Sequence, residues 1–422
     1  MSFQQGLSGL NTSSKNLEVI GNNIANANTF GSKASRAEFA DMYAGMLNAT
    51  GGSDVGMGTQ IAAITQQFSQ GAITATENSM DVAINGAGFF QVHDPSGSLL
   101  YTRNGQFKVD RDGYVVNNQG DKLLGYMADA NGNVVQGAAT ELKLPTAGIS
   151  PQATADVTME MNLDSRATVI TPPATGPQID FDDPKTYTSA TSMTAYDAKG
   201  QEVPLTVYYQ KSAADTWDVY ITANGAPISG TAAAPTPSTT ITYPTNGAAP
   251  SAPAGPVTLS IPATTDANGN VTSVAIDPVT FDLSKSTQYG ASFAITNLSQ
   301  DGRAPGQLNS ISIDPNGTIM ARYSNGKTLA AGQVELATFR NPQGLQPLGG
   351  NAWASSFASG DPIVGAPKSG TMGQLQSGAL EESNVDLTSE LVNMITAQRV
   401  YQANAQTIKT QDAILQTLVN LR

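Results

Sequence analysis

The sequence contains no cysteine, so disulfide frameworks, thiolate metal sites and cysteine nucleophiles are excluded at the outset. Histidine occurs once, at His93, and one imidazole without thiolates does not make a zinc site. Charge is scarce. Charged residues form 13 % of the 422, and 34 acidic against 21 basic residues give a formal net charge of −13. That balance argues against non-specific binding to nucleic acid or to an anionic membrane surface, both of which need basic patches. No run of 18 apolar residues exists, so no membrane insertion is expected. The opening MSFQQGLSGL has neither the basic nor the apolar region of a secretory signal. The chain is expected to stay in the cytosol or to leave by a route that needs no cleavable signal.

What is present is small and polar: Gly, Thr, Ser, Ala and Asn abound, which suits a β-rich extracellular or structural protein. The length allows two or three domains with real cores. Near the amino terminus Phe3, Leu7, Leu10, Leu17 and Ile24 fall on a 4-3 spacing, the mark of one apolar helix face. The same stretch carries Gly21, Asn22, Asn23, Asn26 and Asn28, residues poor in helix interiors. At the other end a 4-3 walk through Leu387, Leu391, Met394, Gln398, Tyr401, Ala405, Ile408, Asp412, Leu415, Val419 and Arg422 is apolar at most steps. Asp386, with Ser389 and Glu390 close behind, supplies a helix cap. No Pro or Gly interrupts that run, and at ~1.5 Å per residue it would be on the order of 50 Å long, normal for a coiled coil.

Between the two ends the pattern is β. Alternating apolar and polar residues from about Gly71 are punctuated by Asn104-Gly105, Asp112-Gly113 and Asn131-Gly132, which are hairpin turn signals. The segments FKVDRDGYVVNNQGDKLLG and ISIDPNGTIMARYSNGKTLAAG share an Asp-x-x-Gly turn core although far apart. They are expected to form one domain interrupted by an insertion. Tyr208, Tyr209, Trp217 and Tyr220 sit in the insertion at strand spacing and are expected in its core. The tract TAAAPTPSTTITYPTNGAAPSAPAGP has too few large apolar residues to build a core, so it is expected to be a dispensable surface loop.

The expected fold is therefore mainly β with terminal α-helices, in a nested multidomain architecture. The amino- and carboxy-terminal helices pair as a coiled coil, an inner β domain forms from two chain segments, and an outer β domain is inserted. The boundaries read as 1–29 for the first helix, 30–70 for a linker region and 71–144 for the first part of the inner β domain. The outer domain is 145–285, the second part of the inner domain 286–370, and the closing linker and helix 371–422.

Chemistry-bearing motifs are nearly absent. No G-x-S-x-G elbow accompanies His93, and Gly86-Ala87-Gly88 lacks the third spaced glycine of a dinucleotide loop. DANGNV at Asp129 to Val134 and Asp266 to Val271 mimics the start of a calcium loop but has Val at position six and no Glu at position twelve. Tight turns are the better reading. No catalytic, metal or cofactor site is expected.

The segments SGLNTSSKNLEVIGNNIANANT and GALEESNVDLTSELVNMITAQRVYQANAQTIKTQDAILQTLVNLR resemble the two ends of the bacterial flagellar rod and hook axial protein family, in particular its hook proteins. MDVAINGAGFFQV, YTRNGQFKVD and NPQGLQPLGGNAWASS resemble the inner β domain of that family. Phe30, Gly31 and Lys33 fit a family motif in which Ser32 stands where a Phe is usual. The resemblance implies a non-enzymatic subunit of a curved, flexible tube that joins the motor's rod to the filament and works as a universal joint. It implies self-assembly into a helical homopolymer, a rod protein below, a hook cap during growth and a junction protein above. Export would go through the flagellar type III apparatus, placing the protein in the extracellular hook of the flagellum, next to the basal body. Phe3, Leu7, Leu10, Leu17, Ile24, Leu387, Leu391, Met394, Tyr401, Ile408, Leu415 and Val419 would form the assembly seam. Asn22 and Asn26 would fix its register, and helix formation at both ends would be driven by assembly. The alternatives are a straight distal-rod protein, disfavoured by the long insertion, and a secreted β-rich enzyme or binding module.

Overall fold

A computed structural model describes residues 2–42, 56, 58–129, 132–171, 176–265 and 271–420. Two long helices, α1 (Ser2–Ala25) and α2 (Leu387–Asn420), close the two ends of a chain otherwise built of strands. The chain divides into two compact units. One comprises Met1–Thr146, Asn309–Arg322 and Thr328–Arg422, and the other comprises Ala147–Leu308 and Tyr323–Lys327.

The first unit is assembled from both sides of the interruption. Lys122–Met127 pairs antiparallel with Thr328–Val334, with Met127 opposite Gly332 and Gly125 opposite Val334. Phe89 and Phe90 likewise face Ala337 and Leu336. The two sequence segments with the shared turn core thus lie in one sheet. Its central path runs Leu308–Ile313, Thr318–Tyr323, Thr328–Val334, Lys122–Met127, Phe89–His93, Leu99–Thr102, Ala352–Ala354, Gln346–Gly349. The shared Asp-x-x-Gly turns have one geometry. The Asp110 carboxylate accepts from the backbone N–H of Asp112 and Tyr114, and Asp314 accepts from Asn316 and Thr318. Gly113 and Gly317 supply the positive φ that closes each turn.

Asn104-Gly105 has a different use from the expected hairpin turn. A Cβ on Gly105 would fall against the Val82 carbonyl, so glycine is required there by close approach of two backbones. The first DANGNV is a tight turn in its described residues: Gly132 N–H donates to the Asp129 carbonyl and Asn133 N–H to the Asp129 side chain. Ala130, Asn131 and all of the second copy except Val271 lie outside the described residues. Residues 30–70, expected as a linker, contain an antiparallel ribbon of Ser35–Met42 and Gly58–Gln66.

The second unit is a two-sheet structure around one core. One sheet holds Ser189–Tyr196, Glu202–Ala213 and Thr216–Ala223 in antiparallel order. The other is ordered Val257–Ile261, Ile276–Asp282, Asp156–Asn162, Ala294–Gln300. Alternation sends Val203, Leu205, Val207 and Tyr209 inward, where they join Trp217 with Met159 and Phe281 of the facing sheet. Tyr220 is buried too, while Tyr208 is only half-buried. Because Ala294–Gln300 pairs with Asp156–Asn162, this unit runs to Leu308, past the expected boundary at 285.

The Pro/Ala/Thr tract corrects another expectation. Thr239–Thr242 within it pairs with Thr216–Val219, setting Ile241 opposite Trp217. Ile241 and Tyr243 are buried core residues. The Tyr243 hydroxyl donates to Ser286 at 2.7 Å, and burial pushes its pKa up to about 12. Composition averaged over the tract hides a four-residue alternation, Thr240-Ile241-Thr242-Tyr243, whose first three residues belong to the strand Thr239–Thr242.

Candidate assembly interface

Helix α1 meets α2 antiparallel, through small and polar residues. A Cβ on Gly6 would stand 3.0 Å from Ile408, and one on Gly9 2.8 Å from Asn404. Asn404 also reaches Ser13 at 3.5 Å, and Asn23 reaches Glu390 at 3.3 Å. The inward residues Gly6, Gly9, Ser13, Ile20 and Asn23 follow a 3-4 spacing of their own. So do Glu390, Met394, Ala397, Asn404, Ile408 and Gln411 on α2, all buried or half-buried. Small side chains let two backbones approach closely, which offsets their weak helix propensity.

This arrangement separates the contact within the chain from the apolar stripes read in the sequence. Phe3 and Leu7 on α1 are exposed, while Leu10, Leu17 and Ile24 are half-buried. On α2, Leu387, Leu391, Tyr401 and Leu415 are exposed, as are Val392, Ile395, Val400 and Ile414. Among the large apolar residues of the α2 stripe whose side chains are described, Met394 and Ile408 are half-buried and turn toward the inner contact. Val419 lies in the last turn of α2, its side chain outside the described residues. Both ends are thus helical and packed in the single chain, which differs from helices formed only on assembly, yet most of their large apolar surface stays uncovered.

The asparagines divide as well. Asn22 is exposed, and Asn26 donates to the Asn22 carbonyl and side chain just past the end of α1. The buried one is Asn23. It donates to the Ser35 carbonyl and accepts from the Ser35 N–H, both at 2.8 Å, fastening the helix to the start of the ribbon. Thr59 of the ribbon reaches Thr12 of α1 at 3.1 Å. Between α1, α2 and the ribbon lies a cavity of about 420 Å³ whose apolar wall includes Val19, Ile20, Phe39, Ala397 and Val400. Asp386 caps α2, its carboxylate accepting from the Thr388 N–H and the Ser389 hydroxyl. Those bonds, the Ser389 side chain foremost, hold its carboxyl below the usual range. The sign follows: this contribution is present above the ordinary Asp value and is lost as pH falls through the lowered one.

A buried charge cluster joins three distant parts of the chain. The Glu381 carboxylate pairs with Lys33 at 2.5 Å and with Arg103 at 2.9 Å, all three withdrawn from solvent. It also accepts from the Gly71 N–H, while Lys33 donates to the Ser69 carbonyl and Arg103 to the Gly86 carbonyl. Burial pushes the Lys33 amine below its ordinary range, against the pull of Glu381. Gly31, at φ 70°, runs so close to Arg103 and Asn104 that a Cβ would collide with their backbone, and Ser32 beside it is buried. Asn23, Glu381, Arg103 and the small-residue seam went unread in the sequence. Only the 3-4 spacing of Gly6, Gly9 and Ser13 offered a signal, and it is invisible to a search for large apolar residues.

Comparison with known proteins places the same segments in one lineage. Residues 3–33 match the family described as Flagella basal body rod protein, and residues 83–171 match the Flagellar hook protein FlgE/F/G D1 domain. Residues 162–303 match the Flagellar basal body protein FlaE D2 domain, and 376–421 the Flagellar basal body rod FlgEFG protein C-terminal family. The chain is 42 % identical to the Flagellar hook protein FlgE of Salmonella typhimurium and 40 % identical to that of Escherichia coli, each over all of both chains. A crystal structure of a Helicobacter pylori flagellar hook protein shares the fold, with a TM-score of 0.54 at 16 % identity over 73 % of this chain and 100 % of that one.

Proposed function

The chain belongs to the flagellar hook protein family, and we propose on that footing that it builds the hook, as a tube that carries torque from the motor's rod to the filament. One observation carries the reading: two paired terminal helices keep Leu387, Leu391, Ile395 and Leu415 in solvent. Such a stripe on a self-assembling subunit is surface waiting for a second copy. Copies joined head to tail through an interface that does not close give an open helical filament. In this reading α1 and α2 line the inner tube.

The rod below, a cap during growth, a junction protein above and the type III export apparatus are its partners, and the extracellular hook next to the basal body is its location. Phe3, Leu7, Leu10, Leu17, Ile24, Leu387, Leu391, Tyr401, Leu415 and Val419 of the seam hold subunits together, with Asn22 and Asn26 setting register, while Met394 and Ile408 serve the contact between α1 and α2 within the chain. No catalytic step is assigned. Deleting the gene tests the proposal: cells should retain rods and lack hooks, and negative-stain images of the restored polymer should show curved tubes. Straight polymer, or hooks in the deleted strain, would overturn it.

A further inference from the structure

The first unit carries a fully exposed aromatic ring on a stiff mount. Phe357 stands wholly in solvent, yet the turn beneath it is firmly tied. The Ser356 hydroxyl donates to the Gly344 carbonyl at 2.5 Å, and the Ser356 N–H donates to the Ser359 hydroxyl at 2.9 Å. Asn341 donates to the Ala358 carbonyl at 3.0 Å. Ser359 is buried, and Gly344 lies so close to Ala358 and Ser359 that a Cβ would strike their backbone. A monomer gains nothing by holding a phenyl ring rigidly in water. A binding surface does, because the entropy of ordering the anchor is already spent before the partner arrives.

The same unit also carries a socket. A cavity of about 270 Å³ is lined by Phe68, Gly88, Phe89, Arg103, Phe339 and Pro342. A cavity of about 150 Å³ is enough to hold a benzene ring. Phe68, Phe89 and Phe339 already meet edge to face, with centroids 5.5 and 6.0 Å apart. That geometry extends readily to one more ring. The Arg103 guanidinium lies 5.3 Å from the Phe89 centroid, and its Nε is buried without a hydrogen-bond partner among the described residues.

We propose that Phe357 of one subunit inserts into the Phe68–Phe89–Phe339 socket of a second copy, adding a knob-in-socket contact between β parts to the helical seam. When the knob of a chain engages one neighbour and its socket another, the contact runs head to tail and repeats along a filament. The inference rests on the reading of the chain as a helical polymer, and its test separates the two.

The absence of native cysteine gives a clean background for cross-linking. Cells co-expressing Phe357→Cys and Ala87→Cys chains should yield tubes that form a disulfide-linked dimer on oxidation, a band absent from tubes of either variant alone. Tubes that assemble without that band overturn the socket while leaving the polymer intact. Failure of the unsubstituted chain to form tubes overturns the polymer reading instead. Should a thiol variant fail to assemble, Phe357→Trp gives a second readout. Trp217 and Trp353 are buried, so acrylamide quenching reports the new indole. Quenching should fall sharply between free chain and tube, and quenching equal in both would contradict the proposal.

Discussion

The second unit and the terminal helix pair bury their apolar residues in opposite ways. In the second unit Trp217, Tyr209, Ile241, Val279 and Phe281 are sealed between two sheets, and nearly every inward strand position is filled. In the helix pair Gly6, Gly9 and Ser13 of α1 pack against Asn404 and Ile408, while most leucines and isoleucines of α2 face solvent. Each such side chain is worth roughly 1.5–3 kcal/mol once buried, so a stripe of them is a large store of unused stabilisation. The contrast separates two sources of stability. The fold of the second unit is complete within one chain, whereas the helices leave large apolar residues uncovered.

The largest effect should come from removing what completes the second unit. Replacing Thr231–Pro256 with a short Gly/Ser linker deletes Ile241 and Tyr243 from the core. Loss of one buried aromatic alone costs on the order of 3–5 kcal/mol. The unit should lose its cooperative thermal transition, whereas excising only the exposed Ala232 and Ala233 should leave the melting temperature within a few degrees. Equal tolerance of both cuts would mean that the tract is no part of the core.

Next comes the charge cluster that ties the helix linkers to the β part. Glu381→Ala leaves Lys33 and Arg103 buried without their anion, and breaking a buried pair in this way costs about 3–5 kcal/mol. Melting of the first unit should drop accordingly. An unchanged melting temperature would show that water compensates the two cations.

Legibility in the sequence followed side-chain size and locality. The paired Asp-x-x-Gly turns announced that 71–144 and the segment after the insertion share one domain, because the turn chemistry is local and each part of it is visible in a few residues. The Asp386 cap was legible for the same reason. The Ile241 strand was not, since four alternating residues were diluted by alanine and proline. Nor was the inner helix contact, because hydrophobic periodicity finds large apolar residues and the α1 side of this contact is largely Gly, Ser and Asn. Glu381 lies 348 positions from Lys33, and no local pattern joins them.

If the terminal apolar stripe is spare surface in one chain and interface in the polymer, a charge placed on it should spare the monomer and stop assembly. Leu391→Asp tests it most directly, with thermal melting of purified monomer set beside hook counts and motility in cells. Leu391 is 46 % exposed, so the monomer should change by no more than the ~0.5 kcal/mol typical of surface substitutions. Hooks should be lost, because burying a carboxylate in the seam carries a desolvation cost at every subunit. Gln402→Asp and Thr410→Asp, also at exposed positions but off the stripe, should impair assembly less. A melting temperature lowered by ten degrees or more, or normal hooks on Leu391→Asp cells, would contradict the account.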